Sequence, residues 1–450
     1  MRRERSFLIL VVLGIALGAY IYFVERKRPA SDEPEQKAKV FENVQEAEVE
    51  EIVVTAQDAT TRLKKAGDSW QIVEPIKADA DREQVNNLTG NFATLERNAV
   101  VDENPASVKQ FGLDPPRADV SFRTRGSSTM RRLLVGNKAP AGGDLYAQVG
   151  GEKRVILISG FMDNVFAKTT FDLRDKSVLR FDRDKTDALE IVSSGRKMRL
   201  VHSPTEWRMA EPLQVRADFG TAEGIVGRLA TTQMRSLVSS EAEPALLKQH
   251  GLADPAHTVT IVSGSSRASL LIGSPGPDGT LYAKDAARPL VFTVESSLAD
   301  DLKKPPSEFR RKDVFDFRPF NATRVDIARD GKTFTFEKVK ADEKSAPGTV
   351  KWRQTAPAPR DVDLQKMDSL LSAFSNLRAD SWVDKAAGLG LERPQIAFAV
   401  SFDDGKKQER LSFAKQGDAA HVVRADEPGA AKIPTTDYDA AVRALDDVLK

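Results

Sequence analysis

Three aspartates stand at one fixed spacing from a tryptophan and a proline. The pattern Trp-x4-Pro-x5-Asp occurs at Trp70, Pro75 and Asp81, at Trp207, Pro212 and Asp218, and at Trp352, Pro357 and Asp363. Carboxylates repeated in this way can be read as acids, as can the close pair Asp79 and Asp81, because neighbouring carboxylates perturb each other's pKa. The indoles can likewise be read as platforms for a sugar or a peptide. A structural role accounts for more. After each Asp the apolar residues fall at helical spacing: Val85, Leu88, Phe92 and Leu95; Ala222, Ile225 and Leu229; Met367, Leu370, Phe374 and Leu377. Each Asp therefore reads as an N-cap whose carboxylate accepts from the first free helical N–H groups and complements the helix dipole. Capping explains position, residue type and recurrence together, whereas an enzyme rarely needs three equal sites. The tryptophans read as core anchors between the third strand of each copy and the helix.

Other chemistry is sparse. Cysteine is absent, which removes thiol catalysis, disulfides and cysteine-based metal sites. The zinc-peptidase, phosphate-loop, dinucleotide and nucleophile-elbow motifs are missing. His202, His250, His257 and His421 fall at unrelated places in the copies and read as packed or solvated side chains. The loop from Gly273 to Gly279 offers backbone amides and Asp278, but it lacks the alternating oxygen ligands of a calcium loop and reads as a hairpin turn. Basic groups at Arg123, Arg125, Arg131 and Arg132, and at Lys303, Lys304, Arg310, Arg311 and Lys312, have acids nearby and read as solvated faces. The expectation is a protein that is not an enzyme and takes no cofactor and no metal.

The elements that carry these residues form a repeat. A second signature, Gly-Leu-x-x-Pro, follows each helix at Gly112 and Pro116, Gly251 and Pro255, and Gly390 and Pro394. Glycine suits a positive φ there, and the proline directs an extended exit into strands at Val120–Phe122, Val259–Ile261 and Ile396–Val400. Asp330-Gly331 lies between alternating segments and predicts a hairpin. A shorter second helix is expected to end each copy, with Tyr438, Val442, Leu445 and Leu449 on one face of the last. After Pro394 the third copy drifts, with Leu411–Ala414 and His421–Val423 in place of Leu133–Gly136 with Leu145–Ala147, and of Leu270–Gly273 with Leu281–Ala283, and without the tyrosine. The predicted class is α+β: an N-terminal transmembrane helix, then a tandem array of three mostly antiparallel β units, each with two helices. The expected divisions are 1–28 for tail and anchor, 29–48 for a polar acidic spacer, and 49–182, 183–320 and 321–450 for the units. Their short joints favour a rigid array.

At 450 residues, and roughly 150 per domain, three domains are the natural prior. With 67 Lys plus Arg against 66 Asp plus Glu the net charge is +1, which argues against nucleic acid as a partner. Residues 7–24 carry no charge and at 1.5 Å rise per residue nearly span a ~30 Å hydrocarbon core. The stretch is too long, and ends in residues too bulky, for a cleavable signal peptide. Arg26, Lys27 and Arg28 nearly balance Arg2, Arg3 and Arg5, so charge barely sets orientation. An uncleaved signal-anchor in the inner (cytoplasmic) membrane, with the array outside the cytoplasm, is the expectation, and a cytoplasmic array is the alternative.

The anchor, the Trp-x4-Pro-x5-Asp helix start and the Gly-Leu-x-x-Pro turn together resemble the bacterial family called domain of unknown function 4340. The resemblance runs from Trp70 to Pro116, Trp207 to Pro255 and Trp352 to Pro394. It implies a membrane-anchored protein found beside ABC-type transport components, notably those likened to gliding-motility auxiliaries. It brings no catalytic residues. The resulting expectation is a non-catalytic accessory or scaffold of the bacterial envelope, with ABC-type permease or ATPase subunits as partners. The alternative is an envelope glycan- or peptide-binding module, or a hydrolase acting outside the cytoplasm.

Overall fold

The structure, a computed structural model, describes residues 38–140, 142–340 and 350–450. The expected anchor at 7–24 and the first part of the spacer lie outside the described residues. Among the described residues no helix is long and apolar enough to cross a membrane. The chain divides into two compact units, one ending at Lys176 and one beginning at Ser177.

The first unit holds one antiparallel sheet of nine strands: β1 (Val49–Ala56), β2 (Ala59–Ala66), β3 (Ser69–Glu74), β4 (Ala78–Asp79), β5 (Ala99–Asp102), β6 (Ala118–Thr124), β7 (Arg131–Lys138), β8 (Leu145–Val149) and β9 (Val155–Ile158). Their spatial order is β4-β3-β2-β1-β6-β7-β8-β9-β5. Two meanders thus meet at the β1–β6 pair, where Ile52 faces Phe122 and Val54 faces Val120. Alternation of buried and solvated residues along β1 and β2 turns one sheet face inward. Helix α1 (Arg82–Thr94) covers that face, with Phe92 stacked on Phe122 at 4.3 Å between ring centroids. The short helices α2 (Met162–Phe166) and α3 (Thr170–Leu173) complete the layer.

The acidic spacer ends sooner than its composition suggests. Phe41 and Val44 are buried in the first core, and Lys39 bridges to Glu96, because two apolar side chains are enough to draw the segment onto the sheet.

The second unit holds two further sheets of the same order. One contains β10 (Ala188–Ser193), β11 (Arg196–His202), β12 (Trp207–Glu211), β13 (Val215–Arg216), β14 (Ser236–Ser239), β15 (His257–Ser263), β16 (Ser266–Pro275), β17 (Thr280–Asp285) and β18 (Val291–Glu295). It is covered by α4 (Phe219–Thr231) and α6 (Ser297–Lys303), while α5 (Pro244–Gln249) leads into the Gly251 turn. The other contains β19 (Ala322–Arg329), β20 (Lys332–Lys340), β21 (Val350–Ala356), β22 (Arg360–Val362), β23 (Ser381–Val383), β24 (Ile396–Phe402), β25 (Lys407–Gln416), β26 (Ala419–Arg424) and β27 (Ala430–Ile433), with α7 (Leu364–Ser375) and α8 (Thr435–Leu449). Three similar antiparallel nine-stranded sheets with a few helices make the chain a tandem α+β repeat.

Two expectations need correction. The last helix is the longer of its pair, 15 residues against 12, because one continuous amphipathic stretch runs where the earlier copies break into short turns. Each sheet also gains a short edge strand (β5, β14 or β23) that crosses back to pair with its last strand, a connection without a period of its own in the sequence.

Candidate functional site

The first signature folds the same way three times. Trp70, Trp207 and Trp352 lie on the third strand of each sheet, 8%, 1% and 1% exposed. The Trp207 indole N–H donates to Glu223 at 2.9 Å. Main-chain bonds run from Ala80 N–H to the Trp70 carbonyl and from Ala217 N–H to that of Trp207. Pro75, Pro212 and Pro357 each follow a cis peptide bond.

The Asp carboxylates cap the helices. Asp81 accepts from the N–H groups of Glu83 and Gln84 at 3.0 and 3.1 Å, Asp218 from Thr221 N–H at 2.8 Å, and Asp363 from Lys366 N–H at 2.9 Å. Indoles so deeply buried offer no face to a sugar, and carboxylates committed to backbone donors are poorly placed as acids.

The second signature folds over the opposite, outer face of the sheet. Gly112, Gly251 and Gly390 adopt φ of 68°, 67° and 74°. In the first two copies the second strand after the turn, β7 or β16, carries Gly136 or Gly273, where an added Cβ would stand 2.2 Å from the Phe111 carbonyl oxygen or 2.1 Å from that of His250. Phe111 then rests on Tyr146 with ring centroids 4.9 Å apart, and His250 on Tyr282 at 3.7 Å. In the third copy Leu391, Ala414 and Ala430 form the corresponding plug, with Leu389 and Val423 packed against it. The drift of that copy is thus a repacking: Ala414 replaces the glycine, and the plug becomes aliphatic.

One hydroxyl–imidazole contact has the form of a catalytic pair. Ser193 Oγ lies 2.8 Å from His257 Nδ1 across β10 and β15. At 3% and 6% exposure neither atom is open to a substrate, and burial, aided by Lys303, pushes the imidazole below its ordinary pKa. His421 is likewise pushed down by burial and by Lys432. His202 stacks on Trp207, at 4.7 Å between centroids. Among the described residues no group of three or more His, Cys, Asp or Glu side chains is placed to hold a metal ion.

A buried charge cluster joins the second and third sheets, and Arg216, Asp316, Glu409, Arg424 and Glu427 in it escaped the sequence reading. Arg216, at the edge of the second sheet and 2% exposed, donates from Nε to Glu427 at 2.8 Å and from Nη1 to Asp316 at 2.7 Å. Arg424 donates to Glu409 at 2.8 Å and to the Val314 carbonyl. Burial pushes the Asp316 carboxyl up, but Arg216, Arg311 and Arg424 outweigh it and hold the group below the usual carboxylate range.

Arg310, expected on a solvated face, is 3% exposed and lies 3.6 Å from the centroid of the Trp382 ring. Its backbone bridges to Ala217, while Phe309 C=O accepts from Asp218 N–H at 2.7 Å, so strand pairing carries the side chain inward. In the first unit Arg174 occupies the same place: it bridges to Ala80 and is also 3% exposed. Arg123, Arg125 and Arg132, by contrast, are partly solvated partners of Glu51, Glu50 and Asp119. A faint sequence signal existed for Arg216, which stands two residues before its cap as Asp79 and Asp361 do before theirs.

Comparison with known proteins adds the family. No curated protein matches. Among solved structures, a crystal structure of a DNA polymerase sliding clamp from Pseudomonas aeruginosa with ligand is similar at 9% sequence identity, with 88% of this chain and 93% of that chain covered and a TM-score of 0.17. So low a score carries no argument about fold or function. Residues 70–206 and 207–394 match the family described as Domain of unknown function (DUF4340), with the join falling on the second signature tryptophan. With both signatures inside the matched residues, the chain belongs to the DUF4340 family.

Proposed function

We propose that this protein is a non-catalytic, membrane-anchored accessory scaffold of the bacterial envelope that works beside an ABC-type transport complex. The observation that carries the proposal is that the repeated signature residues spend their chemistry inside their own sheets, as caps, core anchors and turns. Residues kept for architecture three times over suit a protein whose product is a surface. Sequence motifs for nucleotide binding are absent, so energy for transport comes from a separate subunit. The anchor is the charge-free stretch at 7–24, and the array lies on the extracytoplasmic side.

In-cell crosslinking of the tagged full-length protein, followed by mild-detergent purification and mass spectrometry, tests this. Recovery of an ABC permease and ATPase in fixed ratio is expected. Recovery of the protein alone, or with wall glycan, contradicts it.

A further inference from the structure

The outer face of the third sheet carries a groove of about 430 Å³ beside the Leu391 plug. Strand register sorts its lining into two rows. One row runs Thr333, Ala328, Ala397, Ser412 and Val423 across five strands, and the other runs Asp326, Ala399, Arg410 and Ala425. The other copies lack this floor: Thr55 and Val192 stand where Ala328 does, Asp119 and Thr258 in place of Ala397, Ser121 and Thr260 in place of Ala399.

The charges differ too. In the first copy Arg132 occupies the register of Arg410 and is tied to Asp119 by bonds of 2.8 and 2.5 Å. With alanine at 397 that carboxylate is gone, and among the described residues the Arg410 guanidinium donates only to Gln408 Oε1, at 3.1 and 2.8 Å. Asp326 is already held by Arg324 at 2.9 and 3.0 Å and by Thr335 at 2.7 Å, and Arg424 is committed to Glu409 and Asp426. The groove therefore presents a largely apolar floor and, in Arg410, a guanidinium whose hydrogen bonds go to a neutral amide and whose electrostatic neighbour, Asp326, is already bonded to Arg324 and Thr335.

Geometry narrows the occupant. Five strands set the length at roughly 19 Å, and one row of side chains sets the width at roughly 7 Å. A helix, about 10 Å across, is too wide. An extended peptide crossing mid-sheet would leave its own N–H and C=O groups unpaired, because the strand backbones beneath already bond to each other. A hydrocarbon chain has no such groups, and the volume lies within the usual range of ligand sites. We propose that this groove binds a single acyl chain bearing one anionic head, the chain lying over Ala397 and Ala328 and the head on Arg410. The proposal is independent of the scaffold role.

Isothermal titration of the full-length protein with dodecanoate below its micelle concentration, alongside dodecanol and dodecyltrimethylammonium, is the test. Dodecanoate is expected to bind best. Arg410→Gln should weaken it about tenfold and erase its advantage over dodecanol. Ala397→Leu and Ser412→Leu, each filling the row from the solvent side, should abolish binding with the unfolding midpoint unchanged. Failure of dodecanoate to bind the unaltered protein, a preference for the cationic amphiphile, or undiminished binding by both leucine variants overturns the proposal.

Discussion

The indole of Trp207 is enclosed between its strand and α4, and its one polar atom is satisfied by Glu223. Removing it leaves a large void and takes one of its two partners from Glu223, which keeps Arg183. Trp207→Ala should therefore destabilise the second sheet by about 3–5 kcal/mol, read as a shift in urea midpoint, and an unshifted midpoint would return the indole to the list of binding residues. His257 allows a test of sign. Its folded pKa lies below the ordinary 6.5, so the unfolded chain binds the extra proton first. Stability is fully present above that ordinary value and is lost as pH falls through the folded pKa. Between about pH 7.5 and about pH 5, His257→Gln should lose less stability than the parent protein. Equal losses in the two would assign the acid sensitivity elsewhere.

At the scale of elements, the joint between the second and third sheets rests on charges buried among apolar residues. The carboxylate of Glu427 accepts from both the backbone N–H and Nε of Arg216 and lies 3.8 Å from Arg310. Glu427→Ala removes the acceptor of the Arg216 backbone N–H and Nε and the carboxylate beside Arg310 in a low-dielectric site, leaving Arg216 only Asp316 as a charged partner, which should cost about 3 kcal/mol. Hydrogen exchange should then quicken in β13 and in the turn after Arg424, while β1 and β6 stay protected. Uniform loss across all three sheets would contradict that local account.

This joint also marks where sequence reading stopped. Helix starts, glycine turns and strand exits were readable because their causes lie within a few residues of one another. Arg216 and Glu427 are 211 positions apart, so neither signals the other. Arg310 reads as solvated because acids lie near the basic residues around it, yet pairing with Ala217 sets its side chain inward. Alternation in β1 was plain, whereas Phe41 and Val44 were masked by acidic neighbours.

At the scale of the whole molecule, three copies of one sheet have diverged on their outer faces while keeping their caps and anchors. The first two plug that face with an aromatic pair and the third with aliphatic side chains, which leaves the groove beside Arg410. A protein organised in this way holds its repeated residues for folding and varies the surface it shows. The threefold aspartate caps its helices, and one urea-denaturation series tests that role. Asp81, Asp218 and Asp363 are changed together to serine, which caps without a charge, or to alanine, which does not cap. The serine variant should keep the parent midpoint to within a small shift, and the alanine variant should lose about 1 kcal/mol at each helix. If alanine is tolerated as well as serine, the carboxylates do not hold the helices, and the architectural account of the signature fails.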